Sequence, residues 1–166
     1  MGFNARIVAS IIGALSGAPD VGSVRYNFEQ EAKVDLALGT GLRQANHVFT
    51  DERVLAASAS ETLDLAGGLT DALGATLTFT AIKAILIQAD DANVNNVVVG
   101  GGSNPFRGWF ADATDKLSIP PGGFILLTDP TAAGQTVTAA TGDLLLVANS
   151  GSGTGVTYTI TIIGEA

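Results

Sequence analysis

The sequence predicts an all-β protein: a two-sheet antiparallel sandwich, jelly-roll-like, with an N-terminal arm or short helix. Three observations carry this reading. Apolar and polar residues alternate with a period of two over most of the chain, the signature of strands with one buried face. Gly, Pro, Asn and Asp clusters bound these runs at roughly the 8 to 12 residue spacing of sandwiches and barrels. No helical segment of 10 to 15 residues separates the strands, so a βαβ architecture is excluded.

The chain opens "MGFNARIVASIIGALSGAPD". A single Arg before the apolar part and small residues after it give it a weak likeness to a secretion signal. The apolar run is well short of the ~20 residues that span a bilayer. Residues 1–20 are read as an arm or short helix packing on its own domain or on another subunit, and 21–166 as one sandwich domain. In "SVRYNFEQ", Val24, Tyr26 and Phe28 alternate with Arg25, Asn27 and Glu29, and "AKVDLALG" repeats the device with Val34, Leu36 and Leu38. The stretch from Asn46 to Gly68 holds two or three more strands with a turn near Ser58 to Glu61, Leu63 and Leu65 facing inward. Leu69 to Leu73, between glycines, reads as a surface turn rather than a helical turn. "AIKAILIQAD" is long and apolar enough for a helix, but its Ile content and the Asx-rich turn after it favour a central strand.

"VVVGGGSNPFRGWF" joins a strand to three glycines and a cluster of aromatics. A phosphate loop needs a Lys and a following helix at fixed spacing, which Gly100 to Pro105 lack, so these glycines are read as a turn or bulge leaving a strand. In "LSIPPGGFILL" the two prolines cannot donate ladder bonds, so the strand through Leu117 and Ile119 stops or runs along an edge, and Gly122 and Gly123 make a hairpin corner. "GGFILLTD" and "DLLLVANS" read as strands buried on both faces. "GVTYTITIIGE" sets Val156, Tyr158, Ile160 and Ile162 against an outer row of threonines, whose branched carbons suit the extended backbone.

With 46% hydrophobic residues, 14% charged residues and 21 glycines in 166, the composition is that of a loop-rich β domain. Sixteen acidic residues against eight basic ones, net −8, and no basic cluster argue against direct contact with nucleic acid. Without cysteine, stability rests on packing or association. Catalytic signals are poor. His47 sits in a strand, no nucleophile elbow occurs, and Asp51 and Glu52 are neighbours on a strand and point to opposite faces. Asp90, Asp91, Asn93 and Asn95 form a weak calcium candidate, lacking the Gly and distal Glu of an EF-hand loop; Asx residues also favour turns for their own reasons. No cofactor is expected. Phe106, Arg107, Trp109 and Phe110 are of the residue types that anchor interfaces, and they equally suit a plug for one end of the sandwich.

The order "ETLDLAGGLTDALGATLTFTAIKAILIQADDANVNNVVVGGG", "NPF", "LSIPPGGFILLTDP" and "DLLLVANSGSGTGVTYTITIIG", over about residues 53 to 165, resembles small β-sandwich virion proteins of tailed bacteriophages. It is most similar to the head decoration, or cement, type. The resemblance implies a non-enzymatic protein on the outer surface of the phage head, often trimeric, that binds the major capsid protein and holds the expanded shell together. It implies neither membrane nor cofactor. The apolar arm residues Phe3, Ile7, Ile11, Ile12 and Leu15, with Phe106, Arg107, Trp109 and Phe110, are then the expected capsid or subunit interface. The alternative is a tail-associated or lectin-like sandwich binding host carbohydrate, with Trp109 beside Asn104 and Asp112.

Overall fold

The structure is a computed structural model that describes residues 2–166. Fourteen strands follow one another among these residues: β1 Asn4–Gly17, β2 Val24–Leu38, β3 Gln44–Ala45, β4 His47–Leu55, β5 Ser60–Asp64, β6 Leu69–Thr70, β7 Thr76–Leu77, β8 Ala81–Ala89, β9 Val97–Val99, β10 Leu117–Ile119, β11 Phe124–Thr128, β12 Gln135–Thr136, β13 Leu144–Asn149 and β14 Val156–Glu165. The larger sheet runs β11-β8-β14-β4, with β12 extending the pairing of β8; the smaller runs β10-β9-β13-β5. Every pairing in both is antiparallel. Taking these eight strands in chain order, each connection but the one from β9 to β10 passes from one sheet to the other. The two layers are therefore wound together.

The main core lies between the sheets. Ile85, Ile87 and Ala89 of β8 and Val156, Tyr158, Ile160 and Ile162 of β14 meet Leu63, Val97, Val99, Leu145 and Val147 from the smaller sheet. The inward row of β14 and the inward pair Leu63 and Leu65 follow the alternation in the sequence. Each such Val, Leu or Ile side chain contributes about 1.5–3 kcal/mol when fully buried. Polar groups pin one end of this core: the buried Tyr158 hydroxyl donates to Glu61 Oε1 at 2.7 Å, and Arg53 Nη1 donates to Glu61 Oε2 at 2.7 Å. Because Glu61 is on β5 and the other two are on β14 and β4, this network ties the layers together.

Several expectations are corrected. Residues 4–17 form no short helix; they are one half of a hairpin with β2. Residues 20–21 lie in its turn. The strand "FILLT" is not buried on both faces, because β11 is the edge of the larger sheet and Phe124 is exposed. In β13 one face is buried and the other half-buried. Pro120 to Gly123 do not make a hairpin corner. With β10 in the smaller sheet and β11 in the larger, the segment is a crossover, held to the end of β8 by Gly122 N–H to Asp90 O and Ala89 N–H to Gly123 O. Leu69 and Thr70 pair with β7, and the turn between them is organised by Asp71, whose Oδ1 accepts from the N–H groups of Leu73 and Ala75.

Candidate functional site

The β1–β2 hairpin is the part of the molecule with the most uncovered apolar surface. Its strands stay in register through fourteen pairs, from Asn4 opposite Ala37 to Gly17 opposite Val24, a ribbon ~45 Å long. Since successive side chains alternate sides, the register sorts the residues into two faces. One carries Ala5 with Leu36, Ile7 with Val34, Ala9 with Ala32, Ile11 with Gln30, Gly13 with Phe28 and Leu15 with Tyr26. The other carries Arg6 with Asp35, Val8 with Lys33, Ser10 with Glu31 and Ile12 with Glu29. The ribbon is thus mainly amphipathic, with Val8 and Ile12 exposed on its otherwise polar face.

Only the root of its apolar face is covered by its own chain. Phe3, Ala5, Ile7 and Val34 pack around a second small core of Leu36, Ala45, Ala84 and Ile163, where Ala84 and Ile163 belong to the outer face of the larger sheet. Beyond this root the same face is bare: Ile11 is 67% exposed and Leu15 70%, with Val24, Tyr26 and Phe28 also exposed. Phe28 stacks with Tyr26 at 6.4 Å between ring centroids. The Phe28 ring also covers Gly13, leaving no room there for a Cβ. On the polar face Arg6 Nε donates to Asp35 Oδ1 at 2.7 Å across the ribbon, and Lys33 lies 3.5 Å from the other oxygen. The hydrogen bond from Arg6 holds the Asp35 carboxyl below the usual carboxylate range.

Between the ribbon and the outer face of the larger sheet lies a wedge of about 800 Å³. One wall is β1 from Arg6 to Ile11 and the other is Ala84, Leu86, Phe124, Leu126 and Ile163 on the outer sheet face. Among the described residues no strand pairs with the edge of β1 away from β2, so its backbone N–H and C=O groups on that side form a template for another strand.

A buried lysine fixes the root. Lys83, on central strand β8, is 1% exposed. Its Nζ lies 3.0 Å from Glu165 Oε1 and donates to the carbonyls of Gly41, Thr131 and Ala132. Glu165 Oε1 also accepts the N–H of Gly41 at 2.7 Å, and Arg43 N–H bonds Pro130 O at 2.8 Å. One ammonium therefore joins the segment that follows β2, the 129–134 loop and the last strand. Sequence reading missed this pair. Its available signals were one charge inside the apolar run "AIKAILIQ" and a Glu closing a strand of Thr and Ile.

The other expected interface residues do not join the hairpin. Phe106 is 1% exposed and belongs to the main core, with Trp109 and Phe110 packed against it. Phe106 and Trp109 meet edge to face at 6.3 Å. Phe106 is therefore buried within the sandwich of the single chain, while Arg107 is exposed. In the arm, Phe3 and Ile7 sit at the root, Ile11 and Leu15 on the bare apolar face, and Ile12 on the opposite face. Gly100, Gly101 and Gly102 all have positive φ and turn the chain out of β9, with Gly100 pressed against the Asp115 carbonyl and the Phe110 ring.

The remaining candidates serve local structure. Asn93 exchanges two hydrogen bonds with the Thr157 backbone, Asn95 donates to Thr154, and Asp90 Oδ1 accepts from Ala92 N–H. Among the described residues no three His, Cys, Asp or Glu side chains are grouped to hold a metal. His47 bonds Asn46 at 2.7 Å and packs edge-on against Phe79. Asp112 takes both the N–H and the hydroxyl of Thr114, which lower its pKa. Among the described residues no helix is long and apolar enough to cross a membrane.

No family model and no curated protein matches the chain. Two solved structures are similar to 76% of it at 17% identity: "IMPa metallopeptidase in complex with T-antigen", with a TM-score of 0.37, and "Structure of IMPa from Pseudomonas aeruginosa in complex with an O-glycopeptide", with a TM-score of 0.34. The chain spans only 14% and 13% of those proteins.

Proposed function

We propose that this is a non-enzymatic structural protein of a tailed-phage virion, a decoration protein that binds the major capsid protein on the outside of the head and stabilises the expanded shell. The observation that carries the reading is the hairpin: a ribbon ~45 Å long, rooted by a buried ion pair, whose apolar face continues past the body with nothing of its own chain to cover it. Contiguous exposed apolar surface of this kind marks a site of association. The order of the strands, crossing between sheets at all but one connection, supports a jelly-roll winding of two Greek keys. The outward resemblance in strand order and turn wording supports the phage assignment.

A protein that binds only the assembled shell stabilises it by mass action. About 800 Å² per partner is a standard contact, and three linked copies multiply the attachment through effective concentration. The homotrimer is part of the proposal. The test is to add the purified protein to expanded, undecorated capsids and image them. Ordered extra density over the capsid subunits is expected, and a variant with residues 9–32 replaced by a tight turn attaches more weakly while its sandwich stays folded. Bare shells beside folded protein would remove the reading.

A further inference from the structure

We infer that the wedge beside β1 receives the distal half of the hairpin from a second copy of this chain. The inference concerns the free protein and deepens the proposed homotrimer: the distal hairpin face joins one copy to the next, and the ring so formed is what meets the capsid. The occupant comes in trans, because residues 2–166 are all placed elsewhere and the hairpin, being one wall of the wedge, cannot turn into it.

Two apolar surfaces on one molecule lack a full cover: the distal ribbon face, and the wedge, whose mainly apolar lining also includes Ser10, Gln88 and Thr161. The distal ribbon projects Leu15, Tyr26 and Phe28; the wedge recedes between Ile11 and the outer row of Leu86 and Leu126. The contact also repeats one the chain already makes. The same face of the same ribbon, one turn of the pattern nearer the root, packs Ala5 and Ile7 onto Ala84 and Ile163 of that sheet. Continuing the ribbon face of one copy onto the exposed rows of the next extends an interface whose chemistry is established within the fold.

Charge restricts the occupant further. A chain of net charge −8 meets its own copy against repulsion, so self-association needs a neutral contact surface. Arg6 is the single charged residue lining the wedge, and the apolar face of the distal ribbon carries no charge between Ala9 and Leu15 or between Val24 and its polar Gln30. The free edge of β1 adds backbone pairing to the apolar contact, the combination used in strand addition. Because the ribbon of one copy enters the wedge of another, the contact is head-to-tail. It closes into a ring when the rotation allows.

The head-to-tail geometry gives a complementation test on the full-length protein. Leu15→Asp disables the arm and leaves the wedge; Leu86→Asp disables the wedge and leaves the arm. Both positions are exposed in the single chain, so each variant should retain its β-sheet circular dichroism and cooperative melting. By sedimentation equilibrium the wild type should be oligomeric at micromolar concentration and each variant alone monomeric. An equimolar mixture should form one-to-one heterodimers and nothing larger. A monomeric wild type, or folded variants that fail to complement, would overturn the inference. As a second readout, Leu15→Cys mixed with Leu86→Cys in this cysteine-free chain should give an oxidised dimer at least tenfold faster than a Cys placed at Val54, on the outward face of β4. Equal rates would count against the contact.

Discussion

The ammonium of Lys83 sits 3.0 Å from the Glu165 carboxylate, buried where the loop following the hairpin meets the end of the chain. This pair, with three backbone carbonyls also on Lys83, sets the hairpin's root. Removing one partner of a buried pair strands the other charge at a cost of about 3–5 kcal/mol. Lys83→Met should therefore lower stability by that amount in chemical denaturation. Lys83→Met with Glu165→Gln should recover part of the loss. Hydrogen exchange should quicken at Gly41 and Arg43 in the single variant.

Tyr158 gives the stability an alkaline limit. Burial first, then its hydrogen bond to Glu61, push its pKa well above the ordinary tyrosine value. In the unfolded chain it ionises near pH 10. A raised folded pKa favours the protonated form, so this contribution is complete below pH ~10 and is lost as pH rises above it, at about 1.4 kcal/mol per unit. Melting temperature should fall across pH 10 to 11.5 in the wild type, and Tyr158→Phe should flatten that slope while losing about 1–3 kcal/mol at neutral pH for the unsatisfied Glu61 oxygen.

Asp129 acts at the other end of the scale. Its burial would raise its pKa, but the Thr131 and Gln135 hydrogen bonds and nearby Lys83 outweigh this and leave it lowered. A depressed folded pKa makes its contribution present above pH ~4 and lost as pH falls below that value. The 129–135 loop should therefore loosen in acid before the sandwich melts, read as faster amide exchange at Thr131 and Gly134. Asp129→Asn should show that looseness already at pH 7.

Phe106 separates plug from interface. Truncating an aromatic in a packed core costs about 3–5 kcal/mol. Phe106→Ala should show that loss in the isolated chain, and Trp109→Ala, half-buried at the rim, a smaller one. A neutral Phe106→Ala with weakened assembly would return the residue to an interface role.

Gly13 tests the ribbon. A side chain there meets the Phe28 ring, so Gly13→Val should displace that ring and quicken exchange between residues 9 and 32, leaving the melting of the sandwich within ~0.5 kcal/mol, as for surface changes.

How much of this was legible in sequence follows from what each pattern records. The rhythm of Val156, Tyr158, Ile160 and Ile162 reports which face is buried, and it held in the structure. The same rhythm in Val24, Tyr26 and Phe28 reports only which residues share a face; it says nothing of whether that face finds a cover, and here it does not. In β1 the small residues Ala9, Gly13 and Ala14 blur the alternation, so the opening read as an arm or helix until register placed Ile7 against Val34 and Gly13 against Phe28. Pro120 and Pro121 correctly ended a strand, yet which sheet the next strand joins depends on long-range pairing. The Lys83 root joins residues far apart in the chain, and no local pattern encodes it.

The most direct measurement of the central claim is hydrogen–deuterium exchange over residues 9–32, comparing dilute monomer, concentrated protein and capsid-bound protein. The outward-facing amides of β1 should exchange freely when dilute and become protected at least tenfold on assembly, with the body unchanged. Assembly or capsid attachment that leaves this ribbon as exposed as before would contradict its role as the joining element.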